Sequence, residues 1–442
     1  MMPGKGSSVF LPLMRKIKLR FKKSSFAQGV LTLSGSTVIS QGVGILAFPV
    51  LTRLYTPRDI GLWGLFMSFV GVASVAGALR YEVAVVAAPD DGEANSLVRS
   101  ALLIAVVVAV VAGIIFGAFK HYGVLGYGVF PLWTSALVSL TLVVTVWGQI
   151  LRYWAIRHKK FRLIGAFALG RSVLRAIAQG ALFVWQTFGM IVGESMGRFG
   201  SLLILWRAFS LRGGEERVRT SGAFNVLLKY RVYPLTLLPS ALLDTVALMA
   251  AVPIFASVYG IEAGGALALA QKVTSIPMSL IGAAVADVFY GHAADLAHNH
   301  PTKLLGFLLA TVAKLSVLAV GMGGLAWWLA PRLTPVIFGP QWAISGDMMA
   351  EMVPWLIGML AVSPVTRAIF LTKHPWTKLL YDIPAVVVVS LPLWVSIQGP
   401  LQALILISWL QGLLYGVYLL LLVILIRQEY HEDNKPCAVL QD

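Results

Sequence analysis

Twelve apolar runs, each about long enough to cross a bilayer, follow one another along this chain with only short connections. They lie at 28–52, 59–79, 97–119, 129–151, 163–186, 188–208, 232–256, 264–288, 304–330, 350–372, 379–396 and 401–426. A helix needs roughly 20 apolar residues to cover the hydrocarbon core. In lipid, backbone N–H and C=O groups must be satisfied within the protein, so isolated runs of this kind fold as helices. The expectation is an all-α polytopic membrane protein with twelve transmembrane helices. Composition agrees: the chain is 58% hydrophobic and 12% charged, against about 25% charged for soluble domains.

An internal repeat orders the twelve runs. Shifted by 204 positions, the stretch 31–61 falls on 235–265 without a gap. Leu31, Thr32, Leu33, Ser36, Ala47, Pro49, Tyr55 and Gly61 meet Leu235, Thr236, Leu237, Ser240, Ala251, Pro253, Tyr259 and Gly265. The proline, tyrosine and glycine stay in phase with the flanking apolar runs. The repeat predicts two pseudo-symmetric six-helix lobes, 28–208 and 232–427, around a central cavity. A linker at 209–231 joins them. A basic segment at 1–27, either an amphipathic helix on the inner leaflet or a tail that only sets topology, precedes them, and a tail at 428–442 follows. Paired halves with a polar site between them are a transporter architecture.

The formal net charge is +16, and its placement argues topology rather than nucleic-acid binding. With Arg99 and Arg207, at the inner ends of their spans, counted with the adjoining connections, six of the 35 Lys and Arg fall within spans and only Arg53, Arg58, Lys120 and Arg332 fall in connections on the outer side. The other 25 occupy the inner connections and tails. This positive-inside bias places both termini in the cytoplasm. Cys437 is the single cysteine, so no internal disulfide is available and no Cys/His spacing suggests a metal. No cofactor is expected. His292, Asp295, His298 and His300 read as a wetted inner loop.

Ionisable residues inside spans are costly in lipid, so each is expected to face protein or water. Here they are Arg171, Arg175, Glu194, Arg198, Asp244, Lys272, Asp287, Lys314 and Arg367. Arg171 and Arg175 are four apart and share a helix face. Glu194 and Arg198 have the same spacing on the next span, so Glu194 either staples the hairpin by neutralising one arginine or leaves cations free for an anion. Lys272, Ser275 and Ser279 form one polar stripe, and Ser40 and Gln41 lie on the first span. Asp244 and Lys272 on neighbouring spans read either as a buried ion pair or as a phosphate-binding cation with a carboxylate beside it. Six basic in-span residues against three acidic point to an anionic ligand, since Lys and Arg are the usual phosphate binders.

Three blocks, VLTRLYTPRDIGLWGLFMSFVGV, ALRYEVAVVAAPDDGEANSL and VIFGPQWAISGDMMAEMVPWLIGMLAVSPV, resemble the Wzx-type O-antigen and polysaccharide oligosaccharide flippases of the multidrug/oligosaccharidyl-lipid/polysaccharide exporter superfamily. The resemblance implies alternating access for undecaprenyl-diphosphate-linked oligosaccharide, moved from the inner to the outer leaflet of the bacterial plasma membrane for surface polysaccharide synthesis, without enzymatic activity. It implies a cavity lined mainly by spans 1, 2, 7 and 8, with Lys272 as a cavity cation. Asp244, Ser275, Ser40, Gln41, Arg171, Arg175 and Arg198 are the further cavity candidates; the three arginines lie outside those four spans, so the alternative for them is to face an inner vestibule or hold the first lobe together. Arg53, Arg80 and Glu82 fall in the motif blocks and are gate candidates. A polymerase and a chain-length regulator are the implied partners, besides membrane lipids. The rival readings are a cation-coupled drug exporter, which needs an acidic cavity, and a membrane glycan polymerase or glycosyltransferase, which needs a catalytic outer loop.

Overall fold

The structure, a computed structural model, describes residues 25–213, 223–372 and 375–429. The expected amphipathic helix in the basic segment, residues 214–222 of the linker and most of the tail lie outside the described residues. All regular elements among the described residues are helical. The first half runs α1 (Ser25–Leu54), α2 (Pro57–Ala76), α3 (Tyr81–Ala87), α4 (Asp91–His121), α5 (Thr134–Arg157), α6 (Phe161–Ala181) and α7 (Gln186–Gly213). The short α8 (Ala223–Lys229) leads into the second half. There follow α9 (Val232–Met249), α10 (Ala251–Tyr259), α11 (Ile261–Asn299), α12 (Pro301–Phe338), α13 (Ala343–Glu351), α14 (Val353–Val362), α15 (Leu379–Trp394) and α16 (Pro400–Arg427).

Every expected span coincides with helix, but not every helix is a simple span. Among the described residues, eight helices are long and apolar enough to cross a membrane, or nine if a pair bent by 50° counts as one. That pair joins Pro340–Glu351 to Val353–Ile369. The span expected at 232–256 breaks at Ala250 into α9 and α10. α15 has 16 residues, short of the roughly 20 that cross straight. α6 and α11 are the helices that carry Arg171, Arg175 and Lys272. The histidine segment is not a loop: α11 continues for 39 residues to Asn299. Ala293, Leu304 and Leu308 are buried there, and no proline follows Pro277 until Pro301.

The repeat is visible in the packing. Tyr55 and Tyr259 each donate a hydroxyl hydrogen bond to a backbone carbonyl, Gln179 at 2.8 Å and Ile397 at 3.3 Å. Gln179 lies in the last turn of α6 and Ile397 just past the end of α15, the helices of the fifth expected span in each half. α2 then crosses α11 about an approximate two-fold axis. A Cβ on Gly61 would lie 2.2 Å from the Ile261 carbonyl oxygen, and one on Gly265 would lie 1.9 Å from the Pro57 carbonyl oxygen. Pro57 and Ile261 are themselves 204 positions apart, so the contact is reciprocal, as a two-fold interface requires. Only glycine admits so close a backbone approach. Arg58 and its equivalent Glu262 face each other across the same axis at 3.9 Å.

The start of α2 is fixed by a capping box. Thr56 accepts from the Asp59 amide at 3.3 Å, and Asp59 accepts from the Thr56 amide at 2.9 Å. The second Asp59 oxygen takes the Thr187 hydroxyl, which ties α2 to the start of α7. A further junction joins the halves at the same end. The Thr52 carbonyl in the last turn of α1 accepts from the Trp342 indole at 2.9 Å and from Gln341 at 3.0 Å. This carbonyl has no onward helical partner, because the Thr56 amide bonds Asp59 instead.

Candidate functional site

Beneath the α2/α11 crossing lies a cavity of about 500 Å³, walled by α2, α5, α6, α7, α9, α10, α11 and α14. Arg171 and Arg175 from α6, Glu194 and Arg198 from α7, and Lys272 from α11 all reach it. A second cavity of about 370 Å³ lies between α1, α6 and α11, with Arg152 of α5 at its wall, and shares Arg171, Arg175, Lys272 and Ser275 with the first. The shared cations therefore form a partition between two chambers. Thr37, Ser40, Gln41 and Gly44 of α1 line only the second.

The cluster exists because α6 and α7 touch backbone to backbone. Gly189, Gly193 and Gly197 recur every four residues on α7. A Cβ on Gly193 would lie 2.7 Å from the Gln179 amide nitrogen, and one on Gly197 would lie 2.7 Å from the Arg175 Cβ. Small residues at this spacing let membrane helices pack closely, and here they bring Arg175 beside Glu194. This stripe was readable in the sequence as GMIVGESMG and is the signal that sequence reasoning passed over.

Glu194 is 1% exposed and faces three guanidinium groups. Arg198 Nε meets its Oε1 at 3.0 Å. Arg198 also donates to the Thr145 hydroxyl at 2.7 Å and contacts Met67 Sδ at 3.5 Å, so its plane is fixed on three sides. Arg171 and Arg175 stand farther off, at 3.6 and 3.8 Å. Four cations share one carboxylate, a formal excess of three positive charges around the partition.

The structure corrects the expected lining. Arg171, Arg175 and Arg198, cavity candidates that lie outside spans 1, 2, 7 and 8, do line it, because α6 and α7 turn their charged faces inward. Lys272 and Ser275 are there as expected, the Ser275 hydroxyl bonding the Lys272 carbonyl at 2.9 Å. Ser40 bonds Ser172 at 2.7 Å and the Ala168 carbonyl at 2.8 Å, joining α1 to α6. Asp244 does not line the cavity. Its carboxylate binds Lys378 at 2.7 Å, and Lys378 also meets Asp382 at 3.2 Å. Ser240 donates to Asp382 at 3.0 Å. α9 turns this face to α15, so Asp244 and Lys272 are not partners. Lys378 and Asp382 escaped the sequence reading, although their spacing of four at the mouth of the run 379–396 marks an ion pair.

The gate candidates separate. Arg53 donates to the Val336 carbonyl at 3.2 Å and so bridges α1 and α12. Arg80 and Glu82 pair with each other at 3.6 Å rather than across the halves. Leu79 and Arg80 adopt left-handed backbone, at φ 50° and 65°. Burial pushes the Glu82 carboxyl above its ordinary range, against a backbone hydrogen bond and the Arg80 charge, which lower it.

A family profile described as polysaccharide biosynthesis protein matches residues 50–346. The succinoglycan biosynthesis transport protein ExoT of Rhizobium meliloti (strain 1021) is 22% identical over 334 residues. That alignment covers 73% of this chain and 63% of the relative's length. Among solved structures, the lipid II flippase MurJ in an inward closed conformation superposes with a TM-score of 0.67 at 16% identity, covering 89% of this chain and 87% of that one. A MOP superfamily transporter from Pyrococcus furiosus gives 0.60 at 15% identity, covering 90% and 95%. An inward-facing multidrug resistance MATE family transporter gives 0.56 at 14% identity, covering 88% and 96%. These likenesses show a shared membrane-transporter fold.

Proposed function

Because the chain belongs to the polysaccharide biosynthesis protein family, we propose that it flips an undecaprenyl-diphosphate-linked oligosaccharide from the inner to the outer leaflet of the bacterial plasma membrane. It is a multi-pass membrane transport protein, and the diphosphate-linked glycan is the specific cargo of this reading. The observation that carries it is the excess of three positive charges on the partition between two chambers. A lipid-linked diphosphate has three chemically distinct parts, and the site offers a place for each. The glycan occupies the larger chamber, where Gln149, Gln271 and Thr274 supply hydrogen-bonding groups. The two phosphates sit against Arg171, Arg175 and Lys272. The lipid leaves through the second chamber beside α1, which presents Val38, Ile39 and Leu46 outward at 55%, 57% and 77% exposure. The tail thus stays in hydrocarbon while the charged head crosses.

Two contacts at one end, the α2/α11 crossing and the Thr52 junction, serve as the outer gate, and both termini lie in the cytoplasm. The protein then works by alternating access and makes or breaks no covalent bond. A polymerase and a chain-length regulator would receive the flipped units. A drug exporter is less well supported, because Asp244 and Asp382 hold Lys378 and do not line the cavity. The test is complementation of a strain whose surface polysaccharide depends on this protein. Lys272→Ala and Arg175→Ala should insert normally and fail to restore surface glycan. Full restoration by both would remove the role of the cavity cations.

A further inference from the structure

Glu194 is harder to explain than the cations around it. A site for a diphosphate gains nothing from a carboxylate among its arginines, and a buried carboxylate is costly unless well paired. Its pairing is lopsided. Charge-assisted N–H···O contacts run at about 2.7–2.9 Å. Arg198, on the same helix, comes close to this at 3.0 Å. Arg171 and Arg175 do not reach it, at 3.6 and 3.8 Å, and the buried Oε2 atom accepts no hydrogen bond. Exposure makes the same division, with Arg198 on one side and Arg175 and Arg171 on the other. The Arg198 side chain is 6% exposed, Arg175 18% and Arg171 37%. The cluster thus has a locked part, Glu194 with Arg198 and Thr145, and a loose part that faces the chambers.

We propose that Glu194 is an internal competitor for the substrate's phosphates. It orients Arg171 and Arg175 toward one point, yields them to the diphosphate on binding, and takes them back on release. Arg198 anchors Glu194 and does not contact the cargo. The inference rests on the functional reading above and adds a positioning residue to it. The physical need is clear. A carrier must let go on the far side, and three unopposed cations would hold a diphosphate too tightly for turnover. A fixed carboxylate lowers affinity without removing any donor.

The test measures binding and turnover separately, on the full chain in lipid nanodiscs. Inorganic pyrophosphate is titrated by calorimetry at fixed ionic strength into the wild type and Glu194→Gln. Flipping of a diphosphate-linked lipid is followed in proteoliposomes. Glu194→Gln should bind pyrophosphate roughly tenfold or more tightly, while its turnover at saturating lipid falls. Equal or weaker binding would overturn the proposal and leave Glu194 a scaffold. Absence of pyrophosphate binding in the wild type as well would instead defeat the functional reading, and this inference with it. If Glu194→Gln cannot be recovered folded, Glu194→Asp decides. It keeps the charge but shortens the reach to Arg171 and Arg175, so its affinity should rise by roughly two- to threefold. An unchanged or lower affinity would overturn the proposal.

Discussion

The two halves share a scaffold and differ in charge. In the first, four cations gather round Glu194 and open onto the cavity. In the second, Asp244 and Asp382 hold Lys378 away from it. Tyr55 and Tyr259, or Gly61 and Gly265, do the same work in both halves. The ionisable residues do not: Ser40 stands where the second repeat has Asp244, and Ser68 where it has Lys272. Duplication has preserved the backbone contacts, which depend on shape, and released the side chains that meet cargo or ions.

One substitution made in each cluster should separate them most sharply. Lys378→Met leaves the fully buried Asp382 and its neighbour Asp244 without a cation. Breaking a buried pair from one side costs about 3–5 kcal/mol, so a large drop in thermal stability is expected in detergent. Lys272→Met removes a like charge from a cationic cluster. Its melting temperature should hold or rise, while transport falls by roughly tenfold or more. Equal stability losses in the two variants would erase the contrast.

Below these come tests of the shared scaffold. Gly61→Ala and Gly265→Ala each push a methyl group into a carbonyl of the opposite repeat, at an expected cost of about 1–3 kcal/mol. Similar losses of stability from the two would support the two-fold reading, and a large disparity would break it. Tyr55→Phe and Tyr259→Phe should each cost about 1 kcal/mol, Tyr55→Phe the more because its bond is shorter. The smallest effect belongs to the exposed pair across the axis. Arg58→Glu should cost no more than about 1 kcal/mol, and adding Glu262→Arg should recover it, as a double-mutant cycle would read directly.

Much of this was legible in the chain itself. Each of the twelve apolar runs is helical, and the repeat 31–61 marks the crossing that joins the halves. Arg171, Arg175, Glu194, Arg198 and Lys272 stand out by their cost in lipid. Their grouping was less legible. Asp244 looked like a partner for Lys272 because the two helices are neighbours, yet the pairing depends on the direction each face turns. The α7 glycine stripe, which decides how closely Arg175 approaches Glu194, carries no charge and so drew no notice.

Sequence alone determined the class of fold, its internal duplication and the sign of the charge within it. These follow from local quantities: hydropathy over about 20 residues, spacing, and the cost of a buried ion. Tertiary structure decided which ions share a cavity and which neutralise one another. Electrostatic pairing acts over a few ångströms between residues distant in sequence. Helix rotation and glycine-mediated contact set those distances, and a list of residues does not contain them.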